Sequence, residues 1–118
     1  MLRREVCFLV GKHGEVLWAD VSGSATALPD SRVRWEAIWR CRHDLTEIAH
    51  SHPEGPAELS REDETTILAL RSALGAPHLR FSVVAPQAML VNDLEGTRVL
   101  LDEPWWADLL RLASGCPR

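Results

Sequence analysis

The sequence predicts an α/β fold: one compact domain over residues 1–118, a mixed β-sheet flanked by helices. Three observations predict it. Short β-prone runs alternate along the chain with longer segments of helical period. Turn-forming glycine and proline residues punctuate the junctions between them. Hydrophobic residues make up 46% of the 118, enough for a single core in a domain that buries roughly two thirds of its unfolded surface.

Taken in order, Val6 to Val10 is apolar and β-prone, Gly11 to Gly14 is turn-like, and Glu15 to Val21 alternates around Val16 and Trp18, which together predict a hairpin. Gly23 to Pro29 reads as loop. Asp30 or Ser31 then offers an N-cap, and Trp35, Ile38 and Trp39 recur at helical spacing, so a helix is expected to about His43 with that apolar stripe against a sheet. Leu45 to His52 fits a strand, with Ile48, His50 and His52 on one side and Glu47, Ala49 and Ser51 on the other. The two prolines and the glycine of Pro53 to Leu59 predict an irregular loop. Ser60 opens a helix whose Ile67, Leu70 and Leu74 share a face, closed by Gly75 and Pro77. Strand-like runs follow at Leu79 to Ala85, Ala88 to Asn92 and Arg98 to Leu101. A last helix is expected from about Pro104 to Ala113, carrying Trp105, Trp106, Leu109, Leu110 and Leu112. The five tryptophans are expected in the core or at an interface, with Trp105-Trp106 a candidate contact patch.

Charge and cysteine usage narrow the function classes. Seventeen acidic against 13 basic side chains give a formal charge of −4 with no basic run, so nucleic acid is not the expected partner. Cys7, Cys41 and Cys116 are odd in number, far apart and without a Cys-x-x-Cys pair, which argues for a reducing compartment rather than a disulfide framework. The apolar run after Arg3-Arg4 is too short for a signal peptide or a spanning helix, so a cytoplasmic protein with no membrane partner is expected.

The segment from His50 to Asp63 carries the chemistry. His50-x-His52 places two imidazoles on one side of a strand, and Ser60-x-x-Asp63 places a hydroxyl and a carboxylate in the first turn of the next helix. Separately these pairs have ordinary explanations: Ser60 as N-cap with an acidic residue at N3, and a surface histidine pair. Jointly they make the donor set of a catalytic zinc site, two neutral nitrogens and one carboxylate oxygen with a fourth tetrahedral position left open. Zinc in such a site lowers the pKa of water toward about 7. His13, His43 and His78 have no partners at ligand spacing and are expected at the surface. Cys7 and Cys41 are expected as small buried thiols, neither of them a metal ligand.

The pattern His50-x-His52-x7-Ser60-x2-Asp63 resembles the signature of the JAMM (JAB1/MPN/Mov34) metalloprotease family at every fixed position and spacing. The resemblance extends roughly from Glu5 to Asn92. It implies a JAMM/MPN-like domain with a cytidine-deaminase-like core, and a Zn2+ ion held by His50, His52 and Asp63. It implies too that the Ser60 hydroxyl steadies the oxyanion of the tetrahedral intermediate. The family's general base lies upstream, before a strand reading like Glu-x-Cys-Gly-Leu-Leu-x-Gly. Glu5-Val-Cys7-Phe8-Leu9-Val10-Gly11 is similar, which assigns the base to Glu5 ahead of Glu15, Glu36 and Glu47. Phe8 stands where the family has glycine, and only four residues precede Glu5, too few for the family's first helix. An uncovered apolar first strand would pair with a neighbour, so a homodimer is an expectation. The implied activity is hydrolysis of the amide bond at the C-terminus of a ubiquitin-like or sulfur-carrier protein, as in small prokaryotic members. Two other readings stand beside it: a RadC-type domain linked to DNA repair or mobile elements, and a non-catalytic MPN-like scaffold.

Overall fold

A computed structural model describes residues 2–25, 28 and 31–116. Nine elements follow in chain order: β1 (Cys7–Gly11), β2 (Val16–Asp20), α1 (Arg32–Cys41), β3 (Leu45–Ser51), α2 (Arg61–Leu74), β4 (Arg80–Val84), β5 (Met89–Asp93), β6 (Gly96–Leu100) and α3 (Trp106–Ala113). The strands form one mixed sheet in the order β2-β1-β3-β4-β5-β6. Only β3 and β4 pair in parallel, because α2 carries the chain back between them; the other neighbours are antiparallel.

Helices cover both faces. On one, Cys7, Leu9, Ile48 and Phe81 of the sheet pack against Ala37 and Ile38 of α1 and Ile67 and Leu70 of α2. On the other, Val6, Phe8, Val10 and Val91 pack against Trp106, Ala107 and Leu110 of α3. The core therefore lies in two slabs on either side of β1, β3 and β4, which is why β1 reads as an unbroken apolar run rather than an alternating one. Phe8, at 4% exposed, fills the α3 side, where a glycine would leave a void.

Two sequence expectations need correction. The first strand has no free edge: β1 is paired by β2 on one side and by β3 on the other, which removes the ground on which a homodimer was expected. The stripe Trp35, Ile38, Trp39 is not the buried face of α1. Ala37 and Ile38 turn inward with Arg34, whose guanidinium meets Asp20 at 3.0 Å, while Trp35 and Trp39 are 37% and 56% exposed. Of the tryptophans, Trp106 is a core residue and Trp105 is 64% exposed, its indole N–H donating to Gly14 O at 2.9 Å.

The caps explain the helix boundaries. Ser31 is the N-cap of α1, its side chain accepting from the Arg34 N–H, and Asp30, the other candidate, lies outside the described residues, as does part of the expected loop up to Pro29. Gly75, in the left-handed conformation at φ 59°, ends α2. His13, His43 and His78 are exposed, Cys7 is buried and Cys41 is half-buried. Among the described residues no helix is long and apolar enough to cross a membrane.

Candidate metal centre

The β3–α2–β4 crossover brings the carboxyl end of β3 beside the first turn of α2, the position where α/β sheets commonly place their sites. His50 and His52 lie two apart and share the side facing α1 and α2, as strand periodicity requires. Their rings meet at 69° with centroids 4.9 Å apart, and the two Nε2 atoms lie 3.1 Å from each other. The His52 Nδ1 is 3.0 Å from the Pro56 carbonyl. A carbonyl can only accept, so Nδ1 carries the proton and Nε2 keeps its lone pair. Burial, reinforced by the neighbouring His50, lowers the His52 pKa and keeps the ring neutral.

Asp63 reaches the pair from α2. Ser60 and Asp63 form a reciprocal capping box: the Asp63 N–H donates to Ser60 Oγ at 3.0 Å and the Ser60 N–H donates to Asp63 Oδ2 at 2.8 Å. The box locks the carboxylate so that Oδ1 lies 3.3 Å from His50 Nε2 and Oδ2 lies 3.7 Å from His52 Nε2. Burial pushes its pKa up, but the contact with His50 and the hydrogen bonds at Ser60 outweigh this and hold it well below the usual carboxylate value. Asp63 is thus an anion whose position is fixed by the helix it starts.

Glu5 arrives from the other side of β3. In the β1–β3 ladder Cys7 opposes His50, and the Ser51 N–H donates to Val6 O at 2.9 Å, so Glu5 falls opposite His52. Its Oε1 lies 3.9 Å from His52 Nε2, and the residue is only 6% exposed. Burial raises its pKa, His50 opposes that, and Asp63 and Glu62 add to it. The structure therefore brings His50, His52, Asp63, Ser60 and Glu5 to one place, at the end of a groove of about 1110 Å3 between α1 and the 53–60 loop. Glu47, by contrast, is buried on the opposite face, where it accepts from the Ser82 hydroxyl. Glu15 and Glu36 do not line the groove.

The donor set fits zinc. Ligands at about 2.0–2.1 Å in a tetrahedron lie about 3.3 Å from each other; the His50–His52 and His50–Asp63 separations are 3.1 and 3.3 Å, and His52–Asp63 is longer at 3.7 Å. Glu5, His50 and His52 also offer donor atoms within 4.8 Å of one another, so geometry alone admits Glu5 as the third ligand. Two differences favour Asp63. It lies closer to the imidazoles, and it is held ionised, whereas burial pushes Glu5 toward its protonated form. A carboxyl that exchanges its proton readily suits a base better than a ligand.

Sequence reasoning missed Ser51 and Ser114. Both are fully buried, and their hydroxyls are hydrogen-bonded to each other at 2.6 Å behind the site. Ser51 occupies the variable position of His50-x-His52, and Ser114, outside any motif, is 63 residues away.

No protein-family model matches the chain, and none of the curated proteins matches it. The solution structure of protein DSY2949 from Desulfitobacterium hafniense is similar at a TM-score of 0.45 and 20% identity, covering 82% of this chain and 75% of that one. A likeness at this level carries no argument about function.

Proposed function

We propose that the protein is a zinc-dependent peptidase of the JAMM type, hydrolysing the amide or isopeptide bond at the C-terminus of a ubiquitin-like or sulfur-carrier protein. The observation that carries this reading is the convergence of His50, His52 and Asp63, whose donor atoms lie 3.1–3.7 Å apart, with the buried carboxylate of Glu5 beside them. The mixed sheet with helices on both faces is compatible with a JAMM/MPN-like, cytidine-deaminase-like domain. His50 Nε2, His52 Nε2 and an Asp63 carboxylate oxygen would hold the ion.

When bound, zinc supplies a Lewis acid for the scissile carbonyl and makes water acidic near neutral pH. The remaining work belongs to the chain. Glu5 takes a proton from water at its carboxylate and returns it to the departing amine, a shuttle for which a raised pKa is an advantage. Ser60 Oγ accepts from the Asp63 N–H, so its own proton remains available for the oxyanion. The groove beside the site, with apolar walls including Leu28, Ile38 and Ile67, is open enough for an extended tail.

The test combines metal analysis with turnover. Protein purified without chelator is expected to hold about one zinc per chain and to cleave ubiquitin-like fusions, beginning with those encoded by neighbouring genes. Protein free of metal under those conditions would sink the site. Zinc-loaded protein inert on every fusion would sink the peptidase and leave a metal-binding domain.

A further inference from the structure

The lead-in to β1 is held at three successive amides. The Arg4 N–H donates to Ser114 O at 3.0 Å, the Glu5 N–H to Ser24 O at 2.6 Å, and the Val6 N–H to Ser51 Oγ at 2.8 Å. The last bond is unusual in kind. The Ser51 N–H donates to Val6 O as an antiparallel ladder requires, and a regular pair would return the Val6 N–H to the Ser51 carbonyl. Here the Ser51 hydroxyl takes the Val6 N–H instead, while the His52 N–H, directed to the other neighbour of β3, donates to Val84 O at 2.9 Å.

Ser51 stands between the two imidazoles in sequence but faces the opposite side of the sheet, toward α3. There the hydroxyl of Ser114, the C-cap residue of α3, donates to Leu110 O at 2.7 Å, and the Ser51 and Ser114 hydroxyls are hydrogen-bonded to each other at 2.6 Å. A chain of buried polar contacts thus runs from the end of α3 through Ser114 and Ser51 to Val6, the residue after Glu5, and a second contact from Ser114 reaches Arg4, the residue before it. Hydrogen-bonded hydroxyls at fully buried positions are costly to disturb, because any partner left behind loses water as well as its mate.

We propose that Ser51 and Ser114 are positioning residues that fix the Glu5 carboxylate over the His50–His52–Asp63 cluster, so that α3 controls the placement of the base without touching the site. The inference rests on the reading of Glu5 as the base. A misplacement of about 1 Å of a reacting group can cost up to about a hundredfold in rate, and the Ser51–Ser114 pair is what opposes such a shift.

The test uses Ser114→Ala, which leaves the strand carrying the imidazoles intact, with Ser51→Ala as a second variant and Ser114→Thr as the conservative rescue. Each zinc-loaded protein is assayed for zinc stoichiometry, amide exchange at Val6, kcat and KM on a ubiquitin-like fusion, and Glu5 position by crystallography. In Ser114→Ala, zinc is expected to stay at about one per chain, Val6 to exchange about tenfold faster, and kcat to fall about tenfold with KM within about twofold. Glu5 moves away from His52, and Ser114→Thr restores kcat. Unchanged Val6 protection with unmoved Glu5 would overturn the proposal, as would loss of kcat that only tracks loss of zinc or of global stability. A wild type inert on every fusion removes the peptidase reading, and Val6 exchange and Glu5 position then decide the positioning by themselves.

Discussion

Glu5 and His52 lie just beyond the last rung of the β1–β3 ladder, where Cys7 opposes His50, with Glu5 Oε1 3.9 Å from His52 Nε2. That separation is too long for a direct hydrogen bond, and by distance alone it is compatible both with a base beside the proposed ion and with a third ligand to it. The same geometry makes Glu5 the most informative position to change.

Glu5→Gln keeps the size of the side chain and removes its capacity to take a proton. The variant is expected to bind about one zinc per chain and to lose at least about a hundredfold in kcat on a ubiquitin-like fusion, the usual scale of general-base catalysis. Zinc content is read by atomic emission and turnover from the released tail. Retention of full turnover would move the base elsewhere, and loss of zinc would make Glu5 a ligand.

Asp63 caps α2 and, on the proposed reading, would also hold zinc, two roles that substitutions can separate. Asparagine can still accept the Ser60 N–H but is a poor zinc ligand, whereas alanine loses both functions. Both variants are therefore expected to bind zinc far more weakly than wild type. In chelator-treated protein only Asp63→Ala should unfold more easily, by about 1 kcal/mol or about 4 °C in Tm for a domain of this size. Equal melting of the two apo variants would remove the capping half of this account.

Much of this arrangement was legible in the sequence because it is local. Ser60 and Asp63 stand three apart and announce a capped helix, and His50 and His52 stand two apart and share one side of a strand. What stayed hidden depends on contacts between distant segments. Arg34 interrupts the apolar pattern of α1 and faces inward because Asp20 lies behind it; with no sign of that partner, Trp35 and Trp39 look like the buried stripe. The internal place of β1 follows from its pairing with β3, about forty residues later, which neither strand specifies alone. The same pairing decides that Glu5 reaches His52. The family resemblance pointed to Glu5, but its setting came from the register.

The Asp20–Arg34 pair yields a pH prediction away from the candidate metal centre. Burial raises the Asp20 pKa, but hydrogen bonds from Ser22 and the Arg34 guanidinium more than reverse this, so the folded value lies below the ordinary 3.8. A depressed folded pKa contributes stability that is present above 3.8 and is lost as pH falls through the folded value. Asp20→Asn, which removes the charge from the carboxylate that accepts from the Arg34 guanidinium, is expected to cost about 2 kcal/mol at pH 7. The gap between the variant and wild type in urea midpoint should narrow below pH 3.8. A gap that stays constant from neutral pH into that range would show that the pair does not titrate with folding.

Two glycines with left-handed backbone separate strain from collision. Gly75, at φ 59°, has open space where a Cβ would stand, so Gly75→Ala is expected to cost only the conformational penalty, about 1 kcal/mol. Gly115, at φ 79°, follows α3, and a Cβ there would lie 2.5 Å from Leu2 O and 3.3 Å from the Arg3 Cα. Backbone cannot yield as a side-chain tip does, so Gly115→Ala must push the N-terminal segment away from the end of α3 as well as pay the same penalty. It should therefore lower the urea midpoint more than Gly75→Ala, and it should speed amide exchange at Arg4, whose N–H is held by Ser114 O. Because Glu5 is the next residue, Gly115→Ala alone should also reduce turnover at full zinc occupancy. Equal stability loss in the two variants, with Arg4 exchange unchanged in Gly115→Ala, would mean that the N-terminal segment is not braced against α3 at all.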